Sequence, residues 1–364
     1  MRRLRLLFSV LAGWLVVTTL ACGLFSPSVI TPSALVTSPA QPARDLTTPE
    51  PIPTPEAVVS LPLSEPSLTP ERDEPALVEH CPDNLGSIVF SYDPGDHDSV
   101  RYGIYRMNAD GGNRVRLSDE LARTDTMPAW SPERCQVAYV RFTEEGHEDI
   151  FLMFADGSGI RRLTTSPARE IFPDWSPDGR QISFISDQDG SRNLYVMNAD
   201  GTNQHQLTDK SSLARADGGY VQWQQWSPDG EEIAFTFNPG KGQGTGIYVI
   251  HPDGSGLREI APGGHEPAWS PDGSKIYFLS NETGQVEIWV VNRDGSGRRQ
   301  ISHLMGTLFI DHSLRVSPDG TQLAFYGTGP EVTRVGTEIY VLGADGQNLR
   351  NISHAEGQDE WLDW

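Results

Sequence analysis

A repeated motif limits the possible folds of this 364-residue chain more than any other feature. Six copies follow one another from residue 81 to the end, and their reference positions are 43 to 51 residues apart. Five of these positions carry Trp, and in most copies a Ser-Pro-Asp-Gly turn comes next. The reference positions are Trp130, Trp175, Trp226, Trp269, Val316 and Trp364. A fixed period of this length indicates an array of identical supersecondary units.

Each copy contains short β-rich runs joined by tight turns. A run such as Ile182–Ile185 follows the Trp turn, a second run such as Leu194–Tyr195 ends at an Asp-Gly turn, and a last short run closes the copy. Short strands joined by Asp-Gly turns, without helical periodicity, predict antiparallel hairpins. Six four-stranded units that close radially form a six-bladed β-propeller, so the predicted fold class is all-β.

The order of the runs predicts how the ring closes. The repeat region opens on the second strand of a blade, near Ile88, and ends on a first strand, Trp361–Trp364. The C-terminal strand is therefore expected to complete the N-terminal blade by hydrogen bonding to it.

These motifs resemble the WD-like propeller repeat of the TolB family over residues 86–364, and the third copy, Gln181–Gly201, is especially similar. The resemblance implies a TolB-like β-propeller. Two copies depart from the pattern, with Glu133-Arg134 in place of Asp-Gly and Val316 in place of Trp. TolB itself carries an α/β domain ahead of its propeller, and this chain has a Pro-rich segment there, so the Tol-Pal partners of TolB do not carry over.

The N-terminal residues have the pattern of a bacterial lipoprotein signal. Arg2, Arg3 and Arg5 precede an apolar run that ends at Leu20, and Ala21-Cys22 follows. A basic start, a short apolar run and a small residue before the cleavage point predict a secretory signal peptide over residues 1–21. The arrangement resembles a lipobox, which implies that Cys22 becomes lipidated and anchors an extracytoplasmic protein to the cell membrane or envelope. An uncleaved signal anchor and a plain secreted protein are the alternatives.

Residues 22–80 have a different composition from the rest. Twelve of the 27 prolines fall between residues 23 and 80, among Ser, Thr, Ala and Glu. Such a segment favours extended polyproline conformations and lacks a periodic apolar face, so it is predicted to be a disordered tether after the lipidated Cys22. The propeller is predicted over residues 81–364.

Two cysteines remain once Cys22 is assigned to the lipid. Cys81 and Cys135 flank the second strands of adjacent blades, and an oxidising compartment favours a disulfide between them. Two unrelated buried thiols are the alternative.

The candidate binding residues lie just before the reference positions. Uniform turns on one face of a propeller hold the scaffold, whereas loops of irregular length carry recognition, so the variable loops predict the working surface. Five places before the reference position stand Asp125, Glu170, Asp311 and Asp359, and four places before it stand His265, His312 and Glu360. These residues predict an acidic funnel at the channel mouth. The simplest alternative is that they are loop residues that accept hydrogen bonds from turn amides.

The charge and the funnel together limit the function. A formal net charge of −21 argues against nucleic acid as a partner. The sequence favours a monomeric, membrane-tethered propeller without a cofactor, which binds a protein, a cationic peptide segment or a glycan through its loop face. The alternative is a lyase or hydrolase that holds a divalent metal through the His and carboxylate groups, as in the oligogalacturonate lyases, which have a similar propeller. The histidines do not form a recognisable ligand triplet.

Overall fold

The computed structural model describes residues 87–95, 101–119, 124–209, 213, 219–329, 337–354 and 357–364. The predicted signal peptide, the tether, Cys22 and Cys81 lie outside the described residues. Within them the structure is all-β, with six four-stranded antiparallel sheets. A search of the described residues for a helix long and apolar enough to cross a bilayer found none.

The sheets follow one another along the chain as six blades. In the description of each blade below, the strand nearest the axis is given first. Blade 1 contains β24 (Gln358–Asp363), β1 (Ser87–Asp93), β2 (Gly103–Asn108) and β3 (Val115–Arg116); blade 2 contains β4 (Asp125–Trp130), β5 (Gln136–Phe142), β6 (Glu148–Phe154) and β7 (Arg161–Arg162); blade 3 contains β8 (Glu170–Trp175), β9 (Gln181–Ser186), β10 (Asn193–Asn198) and β11 (His205–Gln206). Blade 4 contains β12 (Tyr220–Trp226), β13 (Ile233–Asn238), β14 (Gly246–Ile250) and β15 (Arg258–Pro262); blade 5 contains β16 (His265–Trp269), β17 (Lys275–Ser280), β18 (Glu287–Asn292) and β19 (Arg299–Gln300); blade 6 contains β20 (Phe309–Val316), β21 (Gln322–Thr328), β22 (Glu338–Gly343) and β23 (Arg350–Asn351).

The predicted ring closure is confirmed. The C-terminal strand β24 pairs antiparallel with β1, with Leu362 opposite Phe90. Both side chains belong to an apolar cluster that also contains Ala324 and Ile339 of blade 6. Blade 1 is therefore built from both ends of the propeller sequence, and it packs against blade 6.

The apolar core is divided among the junctions between blades. Six buried clusters occur in the described residues, and each joins two or more neighbouring blades. The five reference tryptophans contribute to these junctions and are between 4% and 9% exposed. Because these indoles are buried at the junctions between blades, the tryptophans belong to the scaffold.

Every innermost strand contains a β-bulge close to the channel. The bulged residue, three places before the reference position, has a left-handed backbone with φ between 50° and 62°. These residues are Met127, Phe172, Trp223, Glu266, Ser313 and Trp361. A bulge shifts the register and redirects the side chains at that point. Proline follows the bulged residue in three of the six strands, where its missing N–H costs no ladder hydrogen bond.

The two faces of the ring differ. One face, here called the turn face, carries the Ser-Pro-Asp-Gly and the outer Asp-Gly turns; the other, the mouth face, is where the innermost strands begin. Ser87 pairs with Asn108, the residue at which the Asp110-Gly111 turn begins, and Asp363 pairs with Val89. Both ends of the described propeller therefore lie on the turn face.

Candidate functional site

All six innermost strands line a cavity on the propeller axis. It measures about 440 Å³ including its open mouth, but the centres of water molecules can occupy only about 30 Å³ of it. The lining residues are Met127, Pro128, Phe172, Pro173, Trp223, Gln224, Glu266, Pro267, Ser313, Arg315, Trp361 and Leu362. Since a water position needs about 10–15 Å³ of such space, the cavity has room for about two water-sized groups.

Three of the predicted funnel residues lie beneath the surface instead of facing an open funnel. Asp125 and Asp359 have no exposed surface, and Glu170 is 1% exposed. Asp125 forms a bidentate ion pair with Arg141 at 2.7 and 2.9 Å, and Asp359 pairs with Arg114 at 2.5 Å. The charges of Asp125 and Asp359 are therefore largely satisfied inside the protein.

The position of these acids has a structural explanation. Each stands at the start of an innermost strand, beside a hydroxyl of the preceding blade: Ser118 beside Asp125 and Thr164 beside Glu170. Burial raises the pKa of Glu170 to about 7, although the Thr164 hydroxyl opposes the shift. Neither carboxylate oxygen of Glu170 has a hydrogen-bond partner of normal geometry among the described residues.

The other four predicted residues come together at the mouth. His265, Asp311, His312 and Glu360 are all partly exposed, and they belong to blades 5, 6 and 1, which are consecutive around the ring. His312 interacts electrostatically with both Asp311 and Glu360. Half of the mouth thus carries ionisable side chains.

Glu266 is the member of this cluster that sequence analysis missed. Its side chain is 3% exposed; one carboxylate oxygen is hydrogen-bonded to Nδ1 of His312, and the other accepts the Ser313 N–H at 2.5 Å. Burial alone would raise the pKa of Glu266, but the charge of His312 and its hydrogen bond hold it below its usual value. Burial opposes protonation of His312, and Glu266, Asp311 and Glu360 nevertheless raise its pKa. The pair joins blades 5 and 6.

Aromatic rings surround this cluster. Trp223 stacks on His312 with ring centroids 5.3 Å apart, and Tyr326 meets His312 edge-on at 6.0 Å. Phe172 and Trp361 meet edge-on across the channel at 5.2 Å. Aromatic side chains therefore line the channel next to the acidic rim.

The mouth is asymmetric. Four and three places before the reference positions, blades 2, 3 and 4 contribute apolar or uncharged side chains, and blades 5, 6 and 1 contribute mostly ionisable or polar ones. The first group is Thr126, Met127, Ile171, Phe172, Gln222 and Trp223, and the second is His265, Glu266, His312, Ser313, Glu360 and Trp361. A ligand that lies across the opening meets an apolar half and an acidic half.

A belt of polar side chains lies one place before the reference positions. Asp363 accepts the Trp130 N–H, and Asp174 accepts the Trp226 N–H, both at 2.8 Å, so each acid links two blades. Arg315 donates from Nε to Asp363 at 2.9 Å. Burial raises the pKa of Asp174 to about 7, against the opposing charge of Arg315.

Asp174 provides a test of these electrostatics. Its raised pKa means that the folded state binds a proton more tightly than the unfolded chain does. The contribution of Asp174 to the free energy of unfolding is therefore most favourable at low pH, and it is lost as the pH rises from about 4 to 7. Asp174→Asn keeps the acceptor for the Trp226 N–H and removes this loss. Between pH 4.5 and pH 8, we expect the free energy of unfolding of the variant to rise by about 3 kcal/mol relative to that of wild type. Urea denaturation across that range measures the difference.

The matched control is Asp178→Asn in the same blade. Asp178 is exposed, and hydrogen bonds hold its pKa below the usual value, so its contribution changes only at lower pH. A stability difference for Asp174→Asn that does not vary with pH would contradict the raised pKa.

Two further predictions concern metal and disulfide chemistry. The described residues contain no group of three or more His, Cys, Asp or Glu side chains that could hold a metal ion. Cys135 is disulfide-bonded. Its partner falls outside the described residues, and the pairing with Cys81 stays a prediction.

Comparisons with known proteins point to one family. The model of the TolB β-propeller domain matches residues 125–236 and 209–335, more than half of the chain. A TolB homolog of Chlorobium luteolum is 33% identical over 150 residues, which cover 40% of this chain and 32% of the homolog. An uncharacterized protein of Agrobacterium fabrum is 26% identical over 198 residues, 50% of this chain and 64% of that protein. The chain thus aligns with less than two thirds of either relative.

Solved structures agree on the fold. TolB from Acinetobacter baumannii superposes with a TM-score of 0.64 and 19% identity over 79% of this chain and 68% of that chain. Identity at this level supports the shared propeller architecture alone.

Proposed function

Because the chain belongs to the TolB β-propeller domain family, we propose that it is a non-enzymatic binding propeller that recognises a protein partner through its mouth face. The observation that carries the proposal is the asymmetric mouth, where the ionisable residues His265, Asp311, His312 and Glu360 meet aromatic side chains at an accessible opening. Aromatic surface beside a few polar groups is typical of recognition sites.

The partner segment that fits this mouth is positively charged. Three carboxylates, Glu266, Asp311 and Glu360, lie around His312, and the chain as a whole has a formal charge of −21. A surface of one sign attracts a partner of the opposite sign and accelerates the encounter. A neutral glycan carries no positive charge to complement these carboxylates, so a protein segment is preferred.

The location proposed for this activity is extracytoplasmic. The support is the signal-like N-terminus with Cys22 as a lipid attachment site, together with the similarity to TolB proteins. Ser87, the first described residue, lies on the turn face, opposite the mouth.

Site-specific photocrosslinking tests the proposal. A photoreactive amino acid at Thr126, on the mouth, is expected to capture a partner in cells that naturally make the protein, whereas one at Glu231, exposed on the turn face, is not. Combining Asp311→Asn with Glu360→Gln removes two charges from the mouth. We expect this double variant to reduce the Thr126 adduct at least fivefold, about 1 kcal/mol, because two exposed charge contacts are lost.

The matched control removes the same charge from the opposite face. Glu133 is exposed on the turn face, and Glu133→Gln combined with Glu231→Gln, with the photoreactive residue at Thr126, is expected to leave the adduct unchanged. Equal adducts from both faces, or a Thr126 adduct that survives neutralisation of the mouth, would overturn the proposed site.

A further inference from the structure

We propose that the cavity on the propeller axis binds a primary ammonium group, which the partner presents as a lysine side-chain tip or as its chain N-terminus. This inference rests on the proposed function and specifies the chemical group that the mouth recognises. Four features carry it: the size of the cavity, the unpaired amide oxygen of Gln224, the aromatic walls and the charge at the wall.

The size of the cavity selects small groups. About 30 Å³ can be occupied by water-sized centres, so about two such groups fit. An ammonium group is comparable in size to a water molecule, whereas the planar guanidinium of arginine is several times larger. The narrow space therefore favours ammonium, which needs one water-sized position, over the larger planar guanidinium.

An unpaired acceptor lines the cavity. Gln224 is 3% exposed, and its side-chain N–H donates to the carbonyl of Phe172. This bond fixes the orientation of the amide, and the carboxamide oxygen is left without a hydrogen-bond partner among the described residues. An unpaired buried acceptor costs about 1–3 kcal/mol, which a donor brought into contact with it would recover. Ammonium supplies three donors and no acceptor.

The walls provide aromatic surface. Phe172, Trp223 and Trp361 line the cavity from blades 3, 4 and 1. A cation that contacts aromatic faces without its water shell gains about 1–2 kcal/mol. A neutral donor such as water or an alcohol gains no such term.

The charges at the wall favour a cation. Glu266 lines the cavity, and its two oxygens have taken one hydrogen bond each, so they retain acceptor capacity. Arg315 also lines the cavity but is paired with Asp363, which offsets its positive charge. His312 contributes a positive charge when protonated, so ammonium binding is expected to strengthen as pH rises and His312 loses its proton.

Titration with small probes tests the inference on the full-length protein. The probes are n-butylammonium, n-butylguanidinium and butan-1-ol at constant ionic strength, and the readout is the indole N–H resonance of Trp223 in NMR spectra. We expect saturable binding of butylammonium, at least about tenfold tighter than that of the other two probes, because they lack either the charge or the fit. Equal binding of butanol and butylammonium, or no saturable binding of butylammonium, would overturn the inference and leave a water-filled cavity.

Variants locate the bound probe. Glu266→Gln keeps an acceptor for the Ser313 N–H, and Trp361→Leu removes one aromatic wall; each is expected to weaken butylammonium binding about fivefold or more. Glu282→Gln, a change at an exposed acid outside the cavity, is expected to have no effect. Thermal melting followed by circular dichroism checks that each variant is folded. Binding that is unchanged in both cavity variants would contradict the assignment.

The outcomes separate this inference from the proposed function. If Thr126 captures a partner that depends on Asp311 and Glu360 but butylammonium does not bind, the ammonium assignment fails and the binding propeller stands. If butylammonium binds in the cavity and no partner is captured at the mouth face, the proposed function fails.

Discussion

A chain that ends at Gly357 is expected to lose its cooperative fold. The seven missing residues include β24, the innermost strand of blade 1, with Leu362 2% exposed and Trp364 9% exposed. Asp363 is lost with them, and it accepts hydrogen bonds from Trp130 of blade 2 and Arg315 of blade 6. Because three neighbouring blades lose packing or hydrogen bonds at once, the loss should exceed the 5–15 kcal/mol by which a typical domain is stable. Thermal and urea melts followed by circular dichroism measure it.

A rearranged chain provides the control. Residues 358–364 are removed from the C-terminus and inserted before Ser87, joined by Ser-Pro-Asp-Gly-Arg, the turn that follows Trp175 in blade 3. This connection is compatible with the structure because Asp363 pairs with Val89 and the two strand ends lie together on the turn face. We expect the rearranged chain to recover a cooperative transition. A truncated chain that melts like wild type would show that ring closure does not stabilise this propeller.

The fold was readable from the sequence because the repeat constrains each level of structure in the same way. The Asp-Gly turns define the hairpins, the period defines the blade, and the incomplete first and last copies define the closure between β1 and β24. Local turn chemistry and global topology agree, which is typical of a sequence with a single stable fold.

The site could be predicted only in part, because its geometry depends on tertiary ion pairs and on a backbone irregularity. Counting along a regular strand placed Asp125, Glu170, Asp311 and Asp359 in one open ring. In the structure, Asp125 and Asp359 are drawn into ion pairs with arginines that are distant in sequence or on the adjacent strand. Such pairs depend on tertiary packing that spacing alone does not reveal.

The bulge also explains why Glu266 was missed. In a regular strand, adjacent side chains alternate between faces, so Glu266 would lie on the face opposite His265. The left-handed conformation of Glu266, with φ of 52°, instead lets it line the channel. One signal was available: Pro128, Pro173 and Pro267 each follow the bulged residue, and proline inside a strand indicates a break in the ladder.

Gly157→Ala is expected to destabilise the propeller far more than Gly254→Ala, although both glycines lie in identical Asp-Gly-Ser turns. Their backbones are equally left-handed, with φ of 87° and 84°, so alanine adds a similar conformational strain of about 1 kcal/mol at each. The surroundings differ. A Cβ on Gly157 would lie 2.2 Å from the carbonyl oxygen of Leu117 in blade 1, whereas on Gly254 the nearest atom is 3.7 Å away.

The backbone of a neighbouring blade cannot move aside as a flexible side chain can, so alanine at 157 must shift blade 2 against blade 1. Overpacking of this kind costs about 1–3 kcal/mol in addition to the strain. We therefore expect Gly157→Ala to lose about 2 kcal/mol more than Gly254→Ala in urea denaturation at pH 7. Equal losses would mean that the junction between blades 1 and 2 yields to the added methyl group, and that the outer turns do not fix the spacing between blades.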